Sequence, residues 1–263
     1  MEGQRHSVTS ADGTRIGLLT AGAGPPLLLV HGGMGRIESW QQLWGELTSR
    51  WRVTAMDRRG RGTSGDTEPY DLSREFTDVA AVAASLAGDG PVDVFGQSFG
   101  ATCALGAAAS GAPVRRLALY QPPGPQTAPR EWRDRVTAMI ADGKPGPAMM
   151  SFLREIIGLS AARIDELRNA PRGYDILPVV SATMPREAQA LATVDLTALA
   201  AAVPVPVLLI LGADSPAWAR DITSELAAAL PQNSLAVMDG QGYEAIESAP
   251  ELIASRLAGF FCY

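Results

Sequence analysis

Cysteine, histidine and lysine are all scarce in this chain of 263 residues, which holds two, two and one of them. Cys103 and Cys262 have neither the density of a disulfide framework nor the paired spacing of a zinc site, so a reducing cytoplasm is the expected compartment. No Walker-type phosphate loop, no G-x-G-x-x-G after a strand and no H-E-x-x-H occurs, so neither metal nor cofactor is expected. Cations are outnumbered by carboxylates, 22 to 28, for a net charge of −6, which argues against a nucleic-acid surface. All cations but Lys144 are arginine, and with abundant Ala, Gly and Pro this reads as the composition of a GC-rich bacterial genome. No apolar run approaches the ~18 residues of a membrane span. The N-terminal MEGQRHSVTSADG lacks the apolar stretch of a signal peptide. The expected partners are therefore a small apolar substrate and at most a second copy of the chain, as monomer or homodimer, with no nucleic acid and no membrane.

What is present is an ordinary globular composition, 46% hydrophobic and 19% charged, without internal repeats. Short apolar runs at 15–20, 26–30, 51–56, 92–95, 114–120, 205–211 and 235–238 read as strands. Leu27-Leu28-Leu29-Val30 and Val207 to Leu211 are apolar without alternation, as strands buried on both faces are. Helical patterns at 37–49, 73–87, 101–110, 216–229 and 249–260 fall between them. Such alternation predicts an α/β fold: a mostly parallel central sheet flanked by helices. One interval breaks the pattern. From 121 to 203 there is no convincing strand, while helical patterns recur from 130–141 onward. A stretch this long must carry structure of its own, so residues 1–120 and 204–263 are read as the core and 121–203 as a helical cap over the sheet's C-terminal edge. Trp132, Met139, Met149, Met150, Phe152, Ile156, Ile157 and Tyr174 supply the cap with material for an adaptable apolar pocket.

Gly96-Gln97-Ser98-Phe99-Gly100 fits the pattern G-x-S-x-G, directly after one strand and directly before a helix. A turn that tight strains its serine and brings neighbouring backbones together, which is why glycines flank it. It exposes the Ser98 hydroxyl and aims the N–H groups of the helix start at a bound oxygen. His31-Gly32-Gly33 follows an earlier buried strand, with Trp40 nine residues on. Asp57-Arg58-Arg59-Gly60-Arg61-Gly62-Thr63-Ser64 and Leu211-Gly212-Ala213-Asp214-Ser215-Pro216 complete a set of ordered landmarks between about Thr14 and Phe261. On these motifs the chain resembles the small, capped bacterial serine hydrolases of the α/β-hydrolase fold family.

The resemblance implies Ser98 as nucleophile, Asp214 as acid, the backbone N–H groups of Gly33 and Phe99 as oxyanion hole, and a cap inserted after the sixth strand. It also places His31, Met34, Gln97, Gln121, Trp132, Phe152 and Trp218 around the substrate. Asp214 has a plainer alternative as a helix N-cap ahead of Pro216, and the arginine-rich loop at 57–61 reads as structural. Gln121 stands where some relatives carry a carboxylate. A serine at 98 argues against the branches with an aspartate nucleophile.

The family's base is missing. Where a Gly-His pair follows the last strand, this chain has Gly242-Tyr243. His6 lies in the polar N-terminal segment and His31 in the oxyanion loop. A triad histidine works because its pKa is near neutrality, whereas tyrosine, near 10, is a neutral donor at pH 7. Making it an effective base would require lowering that value by ~3 units, worth ~4 kcal/mol. Three readings follow. One is a non-hydrolytic enzyme (cyclase, lyase or isomerase) of a natural-product pathway. Another is a slow or engineered-inactive ester or lactone hydrolase assisted by Tyr243 or His31. The third is a ligand-binding protein on a hydrolase scaffold, as in a plant hormone receptor branch that lacks the histidine. The retained elbow, oxyanion loop and acid favour an enzyme, since binding alone needs none of their strain.

Overall fold

The structure, a computed structural model of the chain, describes residues 1–88, 90–169 and 175–262. Eight strands form one sheet in the order β1-β2-β4-β3-β5-β6-β7-β8. They are β1 (Gln4–Thr9), β2 (Arg15–Ala21), β3 (Pro26–Val30), β4 (Arg52–Met56), β5 (Val92–Gln97), β6 (Val114–Tyr120), β7 (Val207–Gly212) and β8 (Asn233–Met238). β2 runs antiparallel to both β1 and β4, and every later pairing is parallel.

The central strands β3, β5 and β7 are buried almost end to end, so both faces of the sheet need a covering layer. Leu27 and Leu29 of β3 point into one core and Leu28 and Val30 into the other, following the two-residue period of a strand. α1 (Gln41–Thr48), α10 (Ala245–Ser248) and α11 (Pro250–Phe261) cover the first face. α2 (Leu72–Leu86), α3 (Phe99–Ala109), α8 (Leu196–Ala201) and α9 (Ala217–Ala229) cover the second.

Between β6 and β7 lie α4 (Arg130–Ala141), α5 (Pro145–Ser151), a π-helical turn (Phe152–Ile156), α6 (Ala161–Asn169), α7 (Leu177–Leu191) and α8. The insertion expected at 121–203 divides in two. Residues of α4 to α7, among them Trp132, Met149, Ile156 and Val180, build a separate third core. Leu191, Leu196, Ala200 and Val203 instead join the body under α3 and α9. Tyr174, expected to line the insertion's pocket, lies outside the described residues.

β1 was not expected, because its side chains are almost all exposed and carry no apolar alternation. It pairs with β2 over its whole length, and His6 hydrogen-bonds Thr20 Oγ1 through Nε2 at 2.8 Å. No helix among the described residues is long and apolar enough to cross a membrane.

Candidate active site

The ends of β3, β5, β6, β7 and β8 open onto one edge of the sheet, which brings the loops at 31, 98, 121, 214 and 243 together. β5 passes into α3 through Ser98 alone, whose φ of 52° is left-handed. Glycine on either side is obligatory. A Cβ on Gly96 would stand 2.6 Å from Ala101 Cα, and one on Gly100 2.3 Å from the carbonyl oxygens of Val30 and His31. The backbone N–H groups of Phe99 and Gly33 have no acceptor among the described residues, as an oxyanion hole requires. Arginines hold the loop opposite. Arg58 Nη1 donates to the Gly32 carbonyl at 3.2 Å, while Arg61 donates to the Gly33 carbonyl through Nε at 3.0 Å and Nη2 at 2.5 Å. Those carbonyls are held by the buried arginines, while Gly33, its N–H without an acceptor among the described residues, borders the same chamber as Ser98.

Tyr243 meets Ser98: its hydroxyl donates to Ser98 Oγ. The loop bearing it is pinned by Tyr120, whose hydroxyl donates to the Gly242 carbonyl at 2.6 Å. The Trp218 ring packs against Tyr243 with centroids 5.6 Å apart. Burial raises the Tyr243 pKa well above the ordinary phenol value, and the contact with Ser98 offsets this only in part. At neutral pH the phenol therefore keeps its proton.

Asp214 departs from expectation. Its residue is exposed and its carboxylate has no hydrogen-bond partner among the described residues, so it does not reach Tyr243. The reason is chemical. An imidazole has two ring nitrogens and can serve a serine and a carboxylate at once, whereas a phenol has one proton, here given to Ser98. Asp214 is not a helix cap either, since α9 is capped at Pro216 without a side-chain hydrogen bond.

His31 is corrected as well. It is fully buried, with Nδ1 2.8 Å from the Gly32 carbonyl and Nε2 accepting from the Arg58 N–H at 3.0 Å. Burial, followed by the charges of Arg58 and Arg61, drives its pKa well below the usual imidazole value. It is a neutral brace behind the oxyanion loop, and it lines neither of the two chambers at Ser98. Gln121 is likewise buried at a left-handed φ of 48° and lines neither cavity.

Two chambers meet at the serine. The smaller, about 60 Å³, lies between the body and α7 and is lined by Trp132, Phe152, Trp218 and one face of α7. The larger, about 330 Å³, runs under α5 and α6 past Gln97, Met149 and Met150. Gly33, Met34, Ser98, Phe152, Ile157 and Tyr243 border both, so the Ser98–Tyr243 pair stands at their junction. Met34, Gln97, Trp132, Phe152 and Trp218 each line one or both chambers.

The family model for the alpha/beta hydrolase family matches residues 27–256. The chain belongs to the α/β-hydrolase family. A solved α/β hydrolase from Sphaerobacter thermophilus is 35% identical, superposing with a TM-score of 0.84 over 97% of this chain and 100% of that one. The enol-lactonase from Burkholderia xenovorans shares the fold at 18% identity, with a TM-score of 0.81 over 98% of this chain and 100% of that one. A 2-hydroxy-6-oxo-6-(2'-aminophenyl)hexa-2,4-dienoic acid hydrolase from Metapseudomonas resinovorans is 32% identical over 101 residues, 37% of this chain and 35% of that one. The matched stretch thus spans about a third of that curated relative.

Within this α/β-hydrolase the arginine loop is structural, as read from the sequence. Arg58, Arg59 and Arg61 are all buried, and Arg58 pairs with Glu75 and Arg59 with Asp78. The residue the sequence did not disclose is Glu187, on α7, which pairs with Arg58 and Arg61 and lines the smaller chamber. A signal existed: three arginines on one buried loop demand more carboxylates than that loop carries.

Proposed function

We propose that this α/β-hydrolase acts on a small, largely apolar carbonyl compound, ester-, lactone- or polyketide-like, by a non-hydrolytic route: cyclisation, elimination or isomerisation. One observation carries the reading. The partner of Ser98 is a neutral phenol that donates to it, not an imidazole that accepts from it. Ser98 is therefore not poised to lose its proton, and standard acyl-enzyme formation is suppressed; in a serine protease, loss of the histidine costs about 10⁶-fold in turnover. The remaining chemistry is electrophilic. The free N–H groups of Gly33 and Phe99 polarise a carbonyl, stabilising enolate or alkoxide character as it develops. In a concerted relay Ser98 gives its proton to that oxygen or to a leaving oxygen, Tyr243 gives its own to Ser98, and the phenol oxygen takes the proton that the substrate releases, so both side chains end as they began. The mostly apolar walls of the smaller chamber disfavour water, the competing nucleophile.

The test compares p-nitrophenyl butyrate hydrolysis by the wild type, Ser98→Ala and Tyr243→His. The wild type is expected to be barely faster than Ser98→Ala. Tyr243→His, which restores a near-neutral base beside Ser98, is expected to gain at least a hundredfold. Wild-type turnover at ordinary esterase rates that Ser98→Ala abolishes would overturn the non-hydrolytic reading in favour of a phenol-assisted hydrolase.

A further inference from the structure

The smaller chamber is mostly apolar; its polar side chains are the Ser98–Tyr243 pair, Thr127, whose Oγ1 accepts from the Gly124 N–H at 3.0 Å, and Thr183 and Glu187 on its α7 wall. Glu187 is only 5% exposed, and a carboxylate so placed has to account for both oxygens. Oε1 is fully engaged, receiving Arg58 Nη2 at 2.5 Å and Arg61 Nη2 at 2.7 Å. Oε2 has no hydrogen-bond partner among the described residues. It lies beside the oxyanion loop, 3.4 Å from where a Cβ on Gly33 would stand. Neighbouring Thr183 cannot satisfy it, because the Thr183 hydroxyl already donates to the Val179 carbonyl at 2.7 Å and accepts from Arg61 at 2.9 Å. An acceptor left open in an apolar chamber next to the reacting carbonyl is a recognition element, since a ligand without a matching donor leaves it unpaired at a cost.

We propose that Glu187 Oε2 is a substrate subsite that accepts a hydrogen bond from a hydroxyl group of the carbonyl compound turned over at Ser98. This rests on the proposed placement of that carbonyl in the oxyanion hole. The charge count selects a neutral donor rather than an ammonium. Glu187 and Glu75 are balanced by Arg58 and Arg61, all four buried in one cluster, so the subsite offers a lone pair without net negative charge. It also explains why α7 carries a carboxylate on a face whose other residues are Val180, Thr183, Met184, Ala188 and Leu191.

The experiment measures dissociation constants by calorimetry for ketones matched in shape: acetophenone with its 4'-hydroxy, 4'-methoxy and 4'-aminomethyl analogues, and the corresponding 4-phenylbutan-2-one series, which extends the reach. In one series the hydroxy compound is expected to bind at least tenfold tighter than its unsubstituted, methoxy and aminomethyl counterparts. In Glu187→Gln the two guanidinium groups take the amide oxygen and leave an NH₂ toward the chamber. The preference for hydroxy over methoxy should then fall to within threefold. Equal binding of hydroxy and unsubstituted ketones to the wild type overturns the subsite while leaving the proposed function standing. Aminomethyl binding as tight as hydroxy overturns the neutral donor, and binding of no ketone at all overturns both proposals. The wild-type ratios decide the matter even where the variant is poorly folded.

Discussion

At the scale of single residues, one phenol organises the chemistry around it. The single proton of Tyr243 goes to Ser98, burial raises the pKa of that phenol, and the exposed Asp214 takes no part in the pair. The first was legible in the sequence, because Tyr243 occupies a recognisable slot after the last strand. The fate of Asp214 was not, since it depends on how many partners the neighbouring side chain can serve. His31 makes a sharper prediction. Its folded pKa lies well below the ordinary imidazole value of 6.5, so the unfolded chain takes up a proton that the folded chain refuses. Stability from this residue is present in full above pH 6.5 and is lost progressively as pH falls below it. Urea unfolding of wild type and His31→Gln between pH 8 and pH 5 should show the wild type losing more stability than the variant, with the difference opening below pH 6.5. Parallel slopes would mean that His31 is protonated in the folded protein.

At the scale of elements, periodicity exposed what is repeated and missed what is not. Unbroken apolar runs marked β3 and β7, and the switch from strand to helix at Ser98 marked the elbow. β1 escaped because a sheet edge with exposed side chains carries no period-two apolar signal. The chamber face of α7, Val180, Thr183, Met184, Glu187 and Leu191, follows helical spacing, but only the fold reveals that Glu187 ends at two arginines of a distant loop. The elbow gives an element-scale prediction. A methyl at Gly100 meets backbone oxygens of β3 and its loop, which cannot move without tearing the sheet. Gly100→Ala is therefore expected to cost at least ~3 kcal/mol, at the upper end of single substitutions, and to yield little soluble protein. Ser98→Ala, which removes one hydroxyl, should remain within ~1 kcal/mol of wild type in thermal unfolding. Comparable stability of the two variants would show that the turn opens more readily than its contacts imply.

At the scale of the whole molecule, the protein has two cores fused through one sheet and a third that only docks. The sheet cores share strands, so neither can open alone. The core of α4 to α7 is held to the body by few polar links of unequal strength. Buried Arg58 and Arg61 grip Glu187, and Trp218 Nε1 reaches the Ile156 carbonyl at 2.8 Å. More exposed pairs join Arg163 to Glu244 and Glu247, and Arg186 to Asp66 and Glu68. Salt screens the exposed pairs, each worth about 0–1 kcal/mol, while breaking the buried one leaves charge stranded at a cost of about 3–5 kcal/mol. The inserted layer is therefore expected to open as a unit below the global unfolding energy, with Glu187 setting the gap. In hydrogen exchange read by mass spectrometry, amides of α5 and α7 should exchange before those of β3, β5 and β6. Glu187→Gln should speed α7 by at least tenfold with β5 unchanged, whereas 1 M NaCl should speed it far less. Uniform protection across α7 and β5 in the variant would show that the third core is as tightly fused to the body as the other two are to each other.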